Sequence, residues 1–212
     1  MTTSAAPMGQ RFLLDGVDWE FYESLLRRVG DRHIFVTYDR GRLELRSPSW
    51  KHDKRARLLG LLIAILAEEF GIPIEGGGSA TFRREDLERG LEPDQCFYVR
   101  NVDRVRGKDE IDLSHDPPPD LAIEVEISQR LLDRVSIYAA LGIGELWRDD
   151  GEHVRVYQLG ADGEYGEQKC SPSFPMLPLE QVDRFMEMRH TLDEMNWLRT
   201  VRQWVQNNLV GR

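Results

Sequence analysis

The chain has 212 residues, of which 41% are hydrophobic and 31% are charged, and its formal net charge is −9 at pH 7. This composition is typical of a globular protein with one hydrophobic core. The negative net charge argues against a protein that simply coats nucleic acid. It does not exclude a nuclease, because a cleft with local cationic groups can bind phosphate on an acidic protein. No apolar run is long enough to span a bilayer, and residues 1–10 lack the apolar core of a signal peptide. We therefore expect a cytoplasmic protein with no membrane partner. We also expect residues 1–10 to form a disordered tail.

The first third of the chain predicts a helix, a hairpin and a longer helix. Residues 18–29 are amphipathic, with Asp18 as a candidate N-cap. Two β-rich runs flank the turn at residues 39–41, which predicts a hairpin. Residues 51–70 then carry apolar side chains at three- and four-residue spacing, and Ser49 can cap the helix that this spacing predicts. We interpret this helix as a core element.

The middle of the chain predicts three strands and a second helix. A glycine triplet at residues 76–78 lies between predicted strands and indicates a turn or bulge, since a phosphate loop needs a strand–loop–helix context. Strands are predicted over residues 93–99, with Cys96 buried, and from Asp120, after three prolines. A helix is predicted over residues 130–141. The order helix, strand, strand, strand, helix, strand predicts a mixed α/β fold.

The last third predicts a hairpin and one long helix. ELWR and HVRVYQL flank an Asp-Asp-Gly turn at residues 149–151, and a proline-rich stretch follows. A single helix over residues 180–209 carries an apolar stripe that includes Trp197 and Trp204, which could pack on the core or on a second subunit. We therefore predict one domain over residues 11–180 and a helical extension over residues 181–212.

Three carboxylates in predicted strands are candidate metal ligands. Glu124 and Glu126 alternate on one strand, so their side chains emerge on one face about 7 Å apart. Ionised carboxylates inside a sheet need a cation nearby, and a hard divalent ion such as Mg²⁺ accepts one or two carboxylates with water and phosphate oxygens. Asp94, at the start of another strand, offers a third carboxylate. Alternatively, the glutamate pair lies on the solvated face of an edge strand.

Several short motifs, taken in order, resemble the Uma-two (Uma2) family of restriction endonucleases in the PD-(D/E)XK nuclease superfamily. They are Glu-Pro-Asp at residues 92–94, PPDLAIEV at residues 118–125, Ile-Tyr at residues 137–138, LGIGELW at residues 141–147, Ser-Pro at residues 47–48 followed by His52, and the strand entry at residues 41–43. The resemblance covers roughly residues 10–180. It implies a restriction-endonuclease-like core with the element order α-β-β-β-α-β.

The resemblance also implies a function and a set of site residues. Asp94 and Glu124 would hold Mg²⁺ or Mn²⁺ for hydrolysis of DNA phosphodiester bonds in a cytoplasmic bacterial protein, with a homodimer as one expected state. Glu44 and His52 are weaker matches. Glu44 is either an additional ligand or an outward residue of the hairpin, and His52 either contacts phosphate or caps its helix.

The chain departs from the family pattern at one position. The motif places lysine two residues after Glu124, and this chain has Glu126 there. Relatives often supply the lysine from the following helix, where this chain offers Arg130 and Arg134. Arginine binds phosphate, but its pKa is too high for a general base.

Several interpretations of this departure remain open. Arg134 or Arg130 substitutes for the lysine, or catalysis has weakened while a metal or nucleic-acid site persists. Arg134 could instead form a purely structural salt bridge with Glu126. A structural or interaction protein with a solvated acidic face is a further alternative.

Overall fold

The computed structural model describes residues 9–30, 32–127 and 131–210. Its helices are α1 (Trp19–Val29), α2 (Trp50–Phe70), α3 (Val102–Val105), α4 (Arg134–Ala140), α5 (Leu179–Met188) and α6 (Glu194–Val205). Its strands are β1 (Arg11–Asp15), β2 (Phe35–Asp39), β3 (Arg42–Arg46), β4 (Glu75–Gly76), β5 (Phe82–Arg84), β6 (Arg89–Leu91), β7 (Gln95–Tyr98), β8 (Leu121–Val125), β9 (Glu145–Asp149), β10 (Val154–Leu159) and β11 (Tyr165–Gln168). Residues 1–8 of the predicted tail, and the candidate Arg130, lie outside the described residues.

The strands form two sheets. The first sheet has the order β1-β3-β2-β6-β5, and all its neighbours pair antiparallel. The second sheet has the order β11-β10-β9-β8-β7-β4. Within it β8 and β9 pair parallel, and α4 supplies the crossover that a parallel pair requires. Apart from β5 and β6, which join the first sheet, and the four-residue α3, the succession from α2 is β4, β7, β8, α4 and β9. It confirms the predicted mixed α/β fold and its α-β-β-β-α-β order.

The local signals in the sequence explain where the main helices begin and end. The Asp18 side chain accepts a hydrogen bond from the Phe21 backbone N–H at 2.8 Å, which caps α1. Ser49 caps α2 in the same way, and Gly71 ends α2 in the left-handed conformation at φ 63°. These elements therefore match their predictions to within a few residues.

The main hydrophobic core lies between α2 and the second sheet. Leu58 and Leu62 of α2 pack in one cluster with Ile123 of β8 and Trp147 of β9. Residues at alternate positions of β8 face this core, while Ala122 faces a second cluster with Tyr138 of α4. Both faces of β8 are thus covered, and Glu124 lies on the α4 side, where it contacts Tyr138.

The C-terminal region differs from its prediction. The single helix expected over residues 180–209 is two helices, because the chain turns between Met188 and Glu194 and Asp193 caps α6 by accepting from the Asn196 backbone N–H at 3.0 Å. The apolar stripe packs on the chain's own core, where Trp197 is 1% exposed.

Three short strands, β1, β6 and β11, were absent from the sequence-based prediction. They have three to five residues each, and neighbouring strands determine their pairing. None of the helices in the described ranges is long and apolar enough to cross a membrane.

Candidate functional site

A buried ionic cluster lies between the two sheets, beside the last residues of β8. One face of the first sheet supplies part of it, because Arg11 pairs with Arg46 and Glu44 pairs with Thr37 in register across β1, β3 and β2. Side chains at alternate positions of a strand share a face. The name "ionic cluster" is used below for three carboxylates and three guanidinium groups: Glu44, Asp94, Glu124, Arg11, Arg46 and Arg134.

Asp94 stands just before β7 and is 4% exposed. Its Oδ1 accepts a hydrogen bond from Arg46 Nη2 at 2.5 Å, and its Oδ2 accepts from the Val125 backbone N–H at 2.7 Å. The Nε2 of His52 lies 3.0 Å from the same Oδ2. Burial alone would raise the pKa of Asp94, but Arg46 and His52 outweigh it and hold this pKa below its usual value. Asp94 is therefore an ionised and fully bonded carboxylate.

Glu124, in β8, forms a two-point ion pair with Arg134 from the first turn of α4. Arg134 Nε lies 2.6 Å from Glu124 Oε1, and Arg134 Nη2 donates to Oε2 at 2.9 Å. The Tyr138 hydroxyl, one turn along α4, donates to the same Oε2 at 2.6 Å. Burial alone would lower the pKa of Arg134, but Glu124 outweighs it and raises that pKa. The predicted metal ligand Glu124 thus has an arginine as its cation.

Glu44 lies inside the structure, where it is 1% exposed, so its interpretation as an outward residue of the hairpin is wrong. Its Oε1 accepts from Arg11 Nη1 at 2.9 Å, and its Oε2 is buried without a hydrogen-bond partner among the described residues. His52 is 4% exposed and contacts Asp94 and Arg46 through its ring, while the helix cap belongs to Ser49. The helix-cap interpretation of the His52 side chain is therefore wrong.

Glu126 lies apart from this cluster, beyond the end of β8. Its Oε2 accepts from Arg148 Nη2 of the neighbouring strand β9 at 2.9 Å. The alternative of a structural salt bridge between Arg134 and Glu126 is wrong, because Arg134 pairs with Glu124. The alternative of a solvated edge strand is also wrong, since β8 lies between β7 and β9 and Glu124 is 2% exposed. The structure thus brings Asp94 and Glu124 together with arginines and leaves Glu126 outside.

The charges in the ionic cluster balance without a metal ion. Each carboxylate has one arginine: Glu44 with Arg11, Asp94 with Arg46, and Glu124 with Arg134. Within the described ranges, no group of three or more His, Cys, Asp or Glu side chains could hold a metal. A divalent ion would add two charges to a neutral, buried set, in which every carboxylate oxygen except Glu44 Oε2 already has a hydrogen-bond or ion-pair partner. In this arrangement the residues do not fit the expected Mg²⁺ or Mn²⁺.

Arg11 and Arg46 are the site residues that sequence reasoning missed. A signal was present, because the strand RLELR alternates two leucines with Arg42, Glu44 and Arg46. Such alternation places all three charged residues on one face, which could have indicated a charged interior or a solvated surface. Only the packing of that face against β8 and α4 distinguishes the two.

Two cavities bear on access to the cluster. A cavity of about 40 Å³ is lined in part by Arg11, Arg46 and His52, and it has room for a few water molecules but not for a nucleotide. A larger cavity of about 720 Å³ is lined by the turn at residues 75–83 and the loop at residues 105–116, with more acidic than basic side chains. Neither cavity gives a DNA strand access to Asp94 and Glu124.

Comparison with known proteins shows which family the chain resembles. The Uma2 family model, described as "Putative restriction endonuclease", matches residues 19–185, which confirms the resemblance seen in the sequence. A solved structure of "a putative nuclease" from Anabaena variabilis is 16% identical, covers 77% of this chain and 90% of its own, and has a TM-score of 0.48. No curated protein matches the chain. The family match includes every member of the ionic cluster except Arg11.

Proposed function

The chain belongs to the Uma2 family, and from this membership we propose that it is a nuclease-fold protein that binds DNA and has largely lost hydrolysis of phosphodiester bonds. The single observation that carries the loss is the pairing of each cluster carboxylate with an arginine. Phosphodiester hydrolysis at a carboxylate site depends on a metal ion that activates water and neutralises charge on phosphate. Carboxylates that already have cationic partners do not offer that site.

Burial supports the same proposal. Asp94, Glu124 and Arg134 are each less than 5% exposed, and the neighbouring cavity is too small for a nucleotide. An in-line displacement needs the scissile phosphate in contact with the catalytic groups. DNA would therefore have to bind on the surface, in a mode limited by the overall charge of −9 and weakened steeply by salt.

A plasmid assay tests the proposal. Purified protein is incubated with supercoiled plasmid and Mg²⁺ or Mn²⁺, in parallel with the variant Asp94→Ala, and binding of a labelled duplex is followed by fluorescence anisotropy at low salt. We expect measurable binding and equal, background levels of nicking for the two proteins. Nicking by the wild type that Asp94→Ala abolishes would overturn the proposal.

The second candidate is an active, metal-dependent DNA endonuclease. It is favoured by the meeting of Asp94 and Glu124 at one place, since Asp94 accepts from the backbone N–H of Val125, the residue after Glu124. In that case Arg134 would have to leave Glu124 before a metal could bind. The plasmid assay distinguishes the two candidates. A cytoplasmic location and a homodimer stay predictions.

A further inference from the structure

The outer edge of β1 has no neighbouring strand in the described part of the chain. β1 is the first strand of the first sheet, and it pairs only with β3. The Ser47 backbone N–H donates to the Gln10 carbonyl at 2.9 Å, so Gln10 directs its backbone groups towards β3. Because these directions alternate along a strand, the N–H and C=O groups of Arg11, Leu13 and Asp15 point to the outer edge. These three residues therefore present backbone donors and acceptors to another strand.

β1 lacks the features that commonly prevent pairing between edge strands. Its sequence RFLLD contains no proline and no lysine, and its five residues pair with β3 in an unbroken register without a bulge. Phe12 and Leu14 lie on the face opposite to that of Arg11, and they are 59% and 41% exposed. An edge strand that exposes large apolar side chains is prone to pair with another strand.

The residues of β1 are complementary to the same strand in the reverse direction. If a two-fold axis passes through Leu13, antiparallel pairing of two copies places Arg11 opposite Asp15 and Phe12 opposite Leu14. Opposite charges and aromatic–aliphatic pairs stabilise an antiparallel ladder when they lie directly across from each other. The same register joins the outward backbone groups of Leu13 to those of its copy, and those of Arg11 to those of Asp15. Charge, apolar contact and hydrogen-bond direction therefore agree on one register.

We propose that the chain forms a two-fold symmetric dimer through its β1 strands, which joins the first sheets of two copies into one continuous sheet. A two-fold interface uses the same patch on both subunits, and a self-complementary strand meets that requirement. The apolar stripe of the C-terminal helices, which the sequence also offered to a second subunit, packs on the chain's own core. Assembly through β1 does not depend on DNA binding or cleavage.

This dimer brings a carboxylate of the second copy to the ionic cluster. Arg11 belongs to the cluster, bonds to Glu44 through Nη1, and has a side chain that is 10% exposed. The side chain of Asp15 is 73% exposed and has Arg42 as its neighbour at 3.2 Å. In the proposed register Asp15 of one copy lies across from Arg11 of the other, whose remaining N–H donors can bond to it.

The test is the mass of the full chain in solution, measured by sedimentation equilibrium over a range of concentrations. The wild type should have twice the chain mass of 24.6 kDa. Two double variants, Phe12→Lys/Leu14→Lys and Phe12→Glu/Leu14→Glu, place like charges opposite each other at exposed positions. Each alone should raise the dimerisation Kd by about a hundredfold or more, because like charges that face each other across an interface repel. A mixture of the two should restore the dimer, since the register then places lysine opposite glutamate.

Met195→Lys is the matched control, because it replaces an exposed apolar side chain outside β1, and it should leave the dimerisation Kd unchanged. Far-UV circular dichroism checks that each variant folds. If the double variants do not fold, Asp15→Arg tests the same register with one substitution at a side chain that is 73% exposed. It places an arginine opposite Arg11 and should raise the Kd by about tenfold or more.

Four results would overturn the dimer through β1. They are a monomeric wild type, a wild-type dimer that the β1 variants retain, an equal loss of the dimer in Met195→Lys, and a mixture that stays monomeric although both double variants fold. Failure of the proposed function is distinguished from these results, because it is seen as plasmid cleavage or absent duplex binding by the wild type.

Discussion

Arginine is well suited to the role that Arg134 has in the interior. Its planar guanidinium has five N–H donors, so one side chain can bond to both oxygens of Glu124 and also to Thr37 and the Glu92 carbonyl. Lysine would offer three donors around a point charge and would lose its proton more readily when buried. An arginine at this position therefore gives the site different electrostatics and different acid–base chemistry from those that a lysine would give it.

The lowered pKa of Asp94 predicts how the free energy of unfolding depends on pH. Its pKa lies below the usual value of 3.8 in the folded chain, because Arg46 and His52 outweigh the effect of burial. Above pH 3.8 the ionised Asp94 contributes its full stabilisation to the folded chain. This stabilisation is lost as the pH falls towards the pKa of Asp94 in the folded chain, because the unfolded chain binds the proton at a higher pH than the folded chain does. Urea unfolding between about pH 5 and about pH 3 should show a falling free energy of unfolding.

The variant Asp94→Asn is the control for this measurement. It lacks the titrating carboxyl, so its free energy of unfolding should fall less steeply over the same acidic range, although it starts from a lower value. Equal slopes for the two proteins would contradict a role for Asp94 in the acid sensitivity. The pKa of His52 is raised in the folded chain, so the stabilisation from protonated His52 is lost only as the pH rises above that pKa. Titration of His52 therefore does not affect the slope between about pH 5 and about pH 3.

At the scale of elements, the C-terminal helices show that apolar periodicity can fail to predict a short turn between two helices. Residues 180–209 contain no proline and no glycine, so apolar spacing alone predicts one helix. The structure instead ends α5 at Met188 and starts α6 at Glu194, with Asp193 as the N-cap. Asp193 is a typical capping residue, so the signal was present but weaker than the periodicity.

Removal of this cap is predicted to destabilise the protein. Asp193→Ala loses the side chain that accepts from the Asn196 backbone N–H, at a cost of about 1 kcal/mol in the free energy of unfolding. Urea unfolding followed by circular dichroism measures the change. Asp103→Ala, at a position with an 87% exposed side chain, is the matched control and should change stability by less than about 0.5 kcal/mol. Equal stability of the two variants would contradict the capping role.

At the scale of the whole molecule, the C-terminal helices belong to the same core as α2 and the second sheet. Trp197 is 1% exposed, packs in the main hydrophobic cluster and donates from its indole N–H to the Phe185 carbonyl at 2.7 Å. The helical region predicted as an extension after residue 180 therefore contributes directly to the stability of the fold.

A pair of tryptophan variants tests this dependence. Trp197→Ala should lower the free energy of unfolding by about 3–5 kcal/mol, because it removes a large buried side chain. Trp50→Ala, at a position that is 82% exposed, is expected to change it by less than about 0.5 kcal/mol. Chemical unfolding followed by far-UV circular dichroism avoids the altered fluorescence. A small effect at Trp197 would show that the C-terminal helices are dispensable for stability.

The sequence by itself determined the order of the main elements and the two carboxylates at the centre of the site. Periodicity and capping are local properties, so α2, β8 and α4 could be predicted from the residues within each element. The tertiary structure alone decided which cations meet those carboxylates, because Arg46 reaches Asp94 across 48 residues and Arg134 reaches Thr37 across 97. Such pairings depend on sheet register and on how the two sheets pack, and no local pattern encodes them.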